Sequence, residues 1–213
     1  MKICMFHPVS HPLERGWVGR VDGDRVVHLA AQTLQSFFTG GGTAREHAEY
    51  PLAEVVFLAP VLHPPSVRIF DDEETFAFAN PAAVRGPGAA VTPPCNSLLQ
   101  SLAVGSRPAA VIGDAGEIGG FTVLAEWRAR GLPVPKDRDF ALGLGPVVVT
   151  PDECTPPGFD WDAAVALAAG GTRLYPGDVI AGPVVETRAA EPGAAVALGI
   201  AGIGALEQRV EAR

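Results

Sequence analysis

The chain is poor in the features that most readily announce a function. Its three cysteines, Cys4, Cys95 and Cys154, are odd in number and far apart. They form no CxxC pair, which argues against a zinc framework or a disulfide scaffold. Free buried thiols in a cytosolic protein are the simpler reading. Positive charge is scarce too: 16 Lys plus Arg stand against 24 Asp plus Glu, a formal net charge of −8. With no basic cluster to neutralise phosphates, neither nucleic acid nor an anionic membrane is an expected partner. The most continuous apolar stretch, Ala194–Leu206, contains Gly199, Gly202 and Gly204 and is too short to span a bilayer. Met1–His7 lacks the apolar core of a signal peptide. The common catalytic signatures are missing as well. There is no GxGxxG opening a helix, no GxxxxGK[ST], no HExxH and no GxSxG. Gly199–Gly204 has spaced glycines but no strand–helix context, so it reads as a bent strand.

What is present points to a β-rich core. Of 213 residues, 47% are hydrophobic and only 19% charged, which excludes intrinsic disorder. The 25 glycines and 20 prolines punctuate short apolar runs, the pattern of a sheet protein rather than a helix bundle. Lys2–Phe6 is a candidate strand. Trp17–Val21 and Arg25–Leu29 flank Asp22-Gly23-Asp24, a hairpin turn signal. Ala30–Phe38 predicts a short helix ended by Gly40-Gly41-Gly42, and Ala44–Tyr50 a further helical turn. Val55–Leu62 is a strand closed by His63-Pro64-Pro65. That proline pair sets the expected boundary between a small N-terminal β module, 1–65, and a larger domain, 66–213.

In the second segment, Val67–Phe70, Ala109–Gly113 and Gly120–Trp127 read as strands. Phe140–Thr150 reads as a strand pair or one bent strand. Trp161–Ala169 predicts a helix with Asp160 as N-cap and Gly170-Gly171 as its stop. Val179–Ala181 and Ala194–Val210 complete the β structure. His7 and His11 lie in a proline-containing segment, so their spacing does not place both on one helix face. A surface loop is preferred to a metal pair there, and His63 reads as a linker residue. Asp71-Asp72-Glu73-Glu74 offers the carboxylates that a hard cation takes. Consecutive side chains point different ways, however, so a solvated loop is preferred.

Five segments resemble the fumarylacetoacetate hydrolase family. Gly120-Phe-Thr-Val-Leu-Ala-Glu-Trp-Arg-Ala-Arg130 is similar to the family's Gly-Tyr-Thr-Val-x-Asn-Asp-Trp-Ser-Ala-Arg-Asp. Asp139–Glu153 resembles its Asp-Phe-Ala-x-x-Leu-Gly-Pro-x-x-Val-Thr-Pro-Asp-Glu. Tyr175-Pro-Gly-Asp-Val-Ile180, Phe78–Gly88 and Ala201–Val210 match three further pieces in the family's order. The resemblance runs from about Val67 to Val210, and the first segment looks like the family's small N-terminal module. It implies a mixed, β-rich α+β architecture, a β-roll or β-sandwich with that module attached, and a homodimer. It also implies hydrolysis, decarboxylation or isomerisation of 1,3-dicarbonyl or keto acids at a Mg²⁺- or Mn²⁺-type cation held by carboxylates.

The implied site departs from that pattern. Gly105-Ser106-Arg107-Pro108 stands where the family has its Glu-x-Glu metal motif. Glu126 matches the third metal carboxylate, and Arg138 the family's lysine. Arg130 matches a structural arginine. The segment after Arg68-Ile69-Phe70, which would carry the base histidine, is shortened, and no histidine follows His63. No bound metal and no cofactor are therefore expected. Arg107 or Arg138 would supply the positive charge and bind substrate with Trp127, while Glu126 would serve as general acid or base. This reading gives a metal-independent lyase, isomerase or cyclase acting on a small enolisable keto or 1,3-dicarbonyl compound. An ion pair filling a silent cavity, in a subunit that binds a ligand or pairs with an active relative, is the alternative. An ordinary metal-dependent hydrolase or decarboxylase, with Asp71–Glu74 compensating, is the third.

Overall fold

The computed structural model describes residues 1–94 and 101–212, so Cys95 lies outside the described residues. The chain begins with strands β1 (Lys2–Pro8), β2 (Trp17–Asp22) and β3 (Arg25–Leu29). Gly23 makes the β2–β3 turn at φ 60°, a conformation that suits glycine. Helix α1 (Leu34–Thr39) is shorter than the predicted Ala30–Phe38. It starts at Thr33, whose hydroxyl accepts from the Ser36 N–H while Ser36 Oγ accepts from the Thr33 N–H. The helical turn predicted over Ala44–Tyr50 is instead strand β4 (Glu46–Pro51), antiparallel to β3. Its local pattern favours neither state. Cross-strand pairs of Arg20 with Glu46 and Arg25 with Glu49, each at 2.7 Å, accompany the strand pairing that decides it. Strand β5 (Val55–Leu58) closes this part.

The remainder adds β6 (Val67–Phe70), β7 (Phe76–Ala79), β8 (Val84–Arg85), β9 (Ala90–Val91), β10 (Leu102–Ile112), β11 (Ile118–Ala129) and β12 (Leu142–Val149). After helix α2 (Trp161–Ala169) come β13 (Val179–Ala181), β14 (Glu186–Ala190), β15 (Ala195–Ile200) and β16 (Gly204–Val210). Asp160 caps α2 by accepting from the Ala163 N–H at 2.9 Å, as its position predicted.

Ten strands of a thirteen-stranded sheet run in the order β4-β3-β2-β1-β12-β11-β10-β13-β6-β7, with β14 added to β10, β5 to β1 and β8 to β12, and a three-stranded sheet has the order β15-β16-β9. The fold is the sheet-rich α+β class expected. Pro64-Pro65 does not interrupt the large sheet, because β1 pairs with β12 at Lys2↔Val149. The two sheets are joined by Trp127, fully buried, whose Nε1 donates to Gln208 Oε1 at 2.6 Å. No helix among the described residues is long and apolar enough to cross a membrane.

Candidate active site

Strand β10 positions the site. All eleven of its residues are buried. One edge pairs with β11 throughout, while the other pairs with β14 at Leu102–Ser106 and with β13 at Ala109–Val111. Between those partners the ladder breaks at Arg107-Pro108, where the Gly182 N–H donates to Pro108 O at 2.9 Å. Proline has no N–H to offer, so it fits where an edge changes partner. The chain that links β13 to β14 leaves the sheet at this point and opens space beside Arg107.

Strand parity assigns the faces. Gly105 lies opposite Glu126, Arg107 opposite Leu124 and Ala103 opposite Arg128. Ala103, Gly105, Arg107, Glu126 and Arg128 therefore share one face, and Trp127 points to the other. The missing side chain at Gly105 lets Val184 pack close, where a Cβ would meet Val184 Cγ2 at 3.2 Å. Arg107 and Glu126 are diagonal neighbours across the strand pair.

The Arg107 side chain has no solvent exposure, and its guanidinium is fully engaged. Nε donates to Glu126 Oε2 at 2.9 Å, and Nη2 reaches the same oxygen at 2.9 Å. Nη1 donates to Phe70 O at 3.0 Å and to Gly182 O at 2.9 Å. Nη2 also donates to Asp71 Oδ1 at 2.5 Å. Four hydrogen bonds and the close approach of Nη2 to Glu126 thus engage all three guanidinium nitrogens. Arg128 engages the other oxygen of Glu126, with Nη2 at 2.8 Å and Nε at 3.1 Å. Glu126 is thus buried between two guanidinium groups, one inside and one half-exposed. Sequence reasoning missed Arg128 as a site residue. It stands where the family motif has serine, two residues beyond Glu126 on a strand, and that spacing was the available signal.

These residues border a cavity of about 440 Å³, whose wall also includes Arg130, Asp137 and Val184. Arg128 Nη1 and the Arg130 guanidinium hold no hydrogen bond to protein among the described residues, so they are the donors an incoming anion would meet. Two predicted residues are not brought into the wall. Trp127 is in the core on the opposite face. Arg138 turns to Asp137, with contacts of 3.0–3.2 Å. That hydrogen bond, with added attraction from Glu126 and Asp71, holds the Arg138 guanidinium above its ordinary pKa.

The acidic run does not converge. Asp71 goes to Arg107, whereas Asp72 Oδ1 accepts from the N–H groups of Glu74 and Thr75 at 2.9 and 2.8 Å. Those backbone bonds hold the Asp72 carboxyl below its ordinary range. Glu73 faces the Asp160 N–H. Among the described residues no group of three or more His, Cys, Asp or Glu is placed to hold a metal ion. The donor set does not fit a divalent cation, because the three carboxylates that line the site already hold a guanidinium: Glu126 and Asp71 that of Arg107, and Asp137 that of Arg138.

The other histidines are elsewhere. His7 Nδ1 lies 2.9 Å from Pro8 O. Trp17 stacks on His28 at 4.7 Å, and His28 lies 5.1 Å from His47. His63 borders a separate cavity of about 470 Å³ with Met5 and Leu34.

No family model matches the sequence, and no curated protein matches it. Solved structures are similar over the whole chain. Maleylpyruvate hydrolase from Sphingobium sp. SYK-6, in complex with manganese(II) ion and pyruvate, superposes with a TM-score of 0.79 at 21% identity, covering 100% of this chain and 99% of that one. Fumarylacetoacetate hydrolase from the psychrophile Exiguobacterium antarcticum gives 0.80 at 20% identity, with 100% of both chains covered. A 2-keto-3-deoxy-D-arabinonate dehydratase complexed with magnesium and 2,5-dioxopentanoate gives 0.81 at 15% identity, covering 100% of this chain and 99% of that one. The likeness shows the fold: this chain has the fumarylacetoacetate hydrolase fold.

Proposed function

We propose that this chain is a fumarylacetoacetate hydrolase-family enzyme that acts on a small enolisable keto acid or 1,3-dicarbonyl acid without a divalent cation. The observation that carries the reading is Arg107, buried beside Glu126 and Asp71 at the base of a cavity lined by further arginines. Two of the fold neighbours are described with maleylpyruvate and pyruvate or with 2,5-dioxopentanoate, all small oxo compounds of this class.

Each residue has a role that its contacts permit. Arg107 donates nothing further, so it acts as a fixed positive charge rather than a ligand clamp. Such a buried charge favours an enolate over the neutral keto form. Arg128 Nη1 and Arg130 bind the substrate carboxylate or enolate oxygen. Asp71 has one oxygen on Arg107 and is 67% exposed, so its other oxygen is free to take the proton α to the carbonyl. Asp71 follows directly on Phe70, in the segment where the family carries its base. Glu126, with both oxygens on guanidinium groups, positions Arg107 and Arg128 in place of the acid–base role first assigned to it. Arg138 and Trp127 support the surrounding structure.

The test is deuterium exchange into the methyl group of pyruvate in D₂O, followed by proton NMR with chelator present. Exchange above the buffer rate, lowered in Asp71→Asn and Arg128→Gln, supports the reading. No exchange with pyruvate or with oxaloacetate counts against it. A silent, ligand-binding subunit is the second reading, and the full engagement of Arg107 and Glu126 favours it. That outcome would show as saturable binding of pyruvate without exchange.

A further inference from the structure

The groups around the Arg107 guanidinium are those a hard cation takes. Two are carboxylate oxygens, Glu126 Oε2 and Asp71 Oδ1, and two are main-chain carbonyls, Phe70 O and Gly182 O. They come from β11, the end of β6, the turn after it and the loop after β13. All four lie 2.5–3.0 Å from a guanidinium nitrogen. Mixed carboxylate and carbonyl oxygens, completed by water, form the usual shell of Mg²⁺ or Mn²⁺.

We propose that Arg107 is an internal substitute for a divalent cation, and that the four oxygens it holds are a latent Mg²⁺- or Mn²⁺-type site kept shut by its side chain. The proposal rests on the reading that this cavity is the working site, and it deepens that reading by saying where the positive charge comes from.

Charge balance supports it. Arg107 and Arg128 offset Glu126 and Asp71, so the cluster is neutral as it stands. A divalent ion entering the wild-type cluster would meet two guanidinium groups at contact distance, that of Arg107 fully buried. Shortening Arg107 leaves two carboxylates against one guanidinium, with the four oxygens facing the space the side chain vacates. The adjoining cavity of about 440 Å³ has room for the waters that would complete the shell. Replacing Arg107 by glutamate adds a third carboxylate, and a divalent ion then brings the cluster to neutrality.

The experiment is Mn²⁺ binding by calorimetry and by loss of the free-ion electron paramagnetic resonance signal, on chelator-treated protein. Neither readout needs a substrate. Wild type is expected to leave the free-ion signal unchanged. Arg107→Ala is expected to take up one Mn²⁺ per chain, and Arg107→Glu to bind it about tenfold or more tightly than that, having one carboxylate more. Adding Glu126→Gln to either variant should abolish uptake. A variant that unfolds without metal and is recovered by millimolar Mn²⁺, as followed by circular dichroism, supports the proposal equally. Stoichiometric uptake by wild type overturns it. So do variants that fold but bind nothing, and variants that millimolar Mn²⁺ does not recover. Pyruvate exchange measured on wild type reports separately on the function, so loss of one reading leaves the other standing.

Discussion

Removing the charge of Glu126 while keeping its shape isolates what the buried cluster is worth. In Glu126→Gln, Arg107 stays fully buried with Asp71 as its remaining counter-charge, and Asp71 is 67% exposed. Breaking a buried pair by removing one partner costs about 3–5 kcal/mol, because the other charge is left without full compensation. A chain of this size loses about 2–4 °C of Tm per kcal/mol, so the drop should be about 6–20 °C. Arg128 also loses its partner, but it is half-exposed and water replaces the contact at little cost. The assay is thermal unfolding by circular dichroism on four proteins: wild type, Glu126→Gln, Arg107→Met and the double variant. The double variant removes both charges together and should recover part of the loss, giving a coupling energy of about 1–3 kcal/mol. A Tm change under about 2 °C in Glu126→Gln, worth less than 1 kcal/mol, would refute the view that the cluster is a tightly compensated unit. Strict additivity in the cycle would do the same.

Other predictions can be read from single sites. Burial, and then the proximity of His47, hold the His28 pKa below its ordinary value, so the folded chain binds fewer protons there than the unfolded one. Stability from this pair should be present at neutral pH and fall as the pH drops through the range of unfolded histidine, and the Tm of His28→Gln should depend less on pH between 7.5 and 5.5. Burial pushes the Cys4 thiol far above its ordinary range, so iodoacetamide should spare Cys4 in the native protein and label it after unfolding, as read by peptide mass spectrometry. A Cβ at Gly19 would meet Val26 Cγ1 at 2.5 Å and Phe6 Cε1 at 2.7 Å, so Gly19→Ala should lower stability by about 1–3 kcal/mol in denaturant unfolding. Asp160→Ala removes the α2 cap and should cost about 1 kcal/mol by the same measurement.

Much of the fold was legible because its punctuation is local. The α2 boundaries follow from Asp160 and Gly170, and the β2–β3 hairpin from Gly23. The helical turn predicted near β4 failed because Glu-His-Ala-Glu-Tyr-Pro has no decisive local preference, and pairing with β3 settles it. At the site, Arg107 and Glu126 were legible from their place in the motifs. Trp127 was expected to bind substrate, although the two-residue repeat of a strand already separates 127 from 126. The same repeat joins Arg128 to Glu126. Arg138 could not have been excluded, since its neighbour Asp137 draws it aside through a turn no pattern specifies. The contact of Asp71, in the turn after β6, with Arg107 on β10 spans 36 residues, and only the folded sheet brings them together.

The placement of β1 against β12 bears on how the chain is made. On one side β2 takes Lys2–Phe6 of β1, but the other side is shared: β5 takes Met5–Pro8 and β12 takes Lys2–Cys4. The N-terminal amine meets Thr150, 149 residues away. At about 5–20 residues per second, a ribosome takes about 7–30 s to supply that partner. Until then the emerged sheet ends in an unpaired apolar edge at Lys2-Ile3-Cys4, which any passing extended strand could join. β1 is thus made well before Val149 and Thr150, and its Lys2–Cys4 edge is sealed only when they arrive.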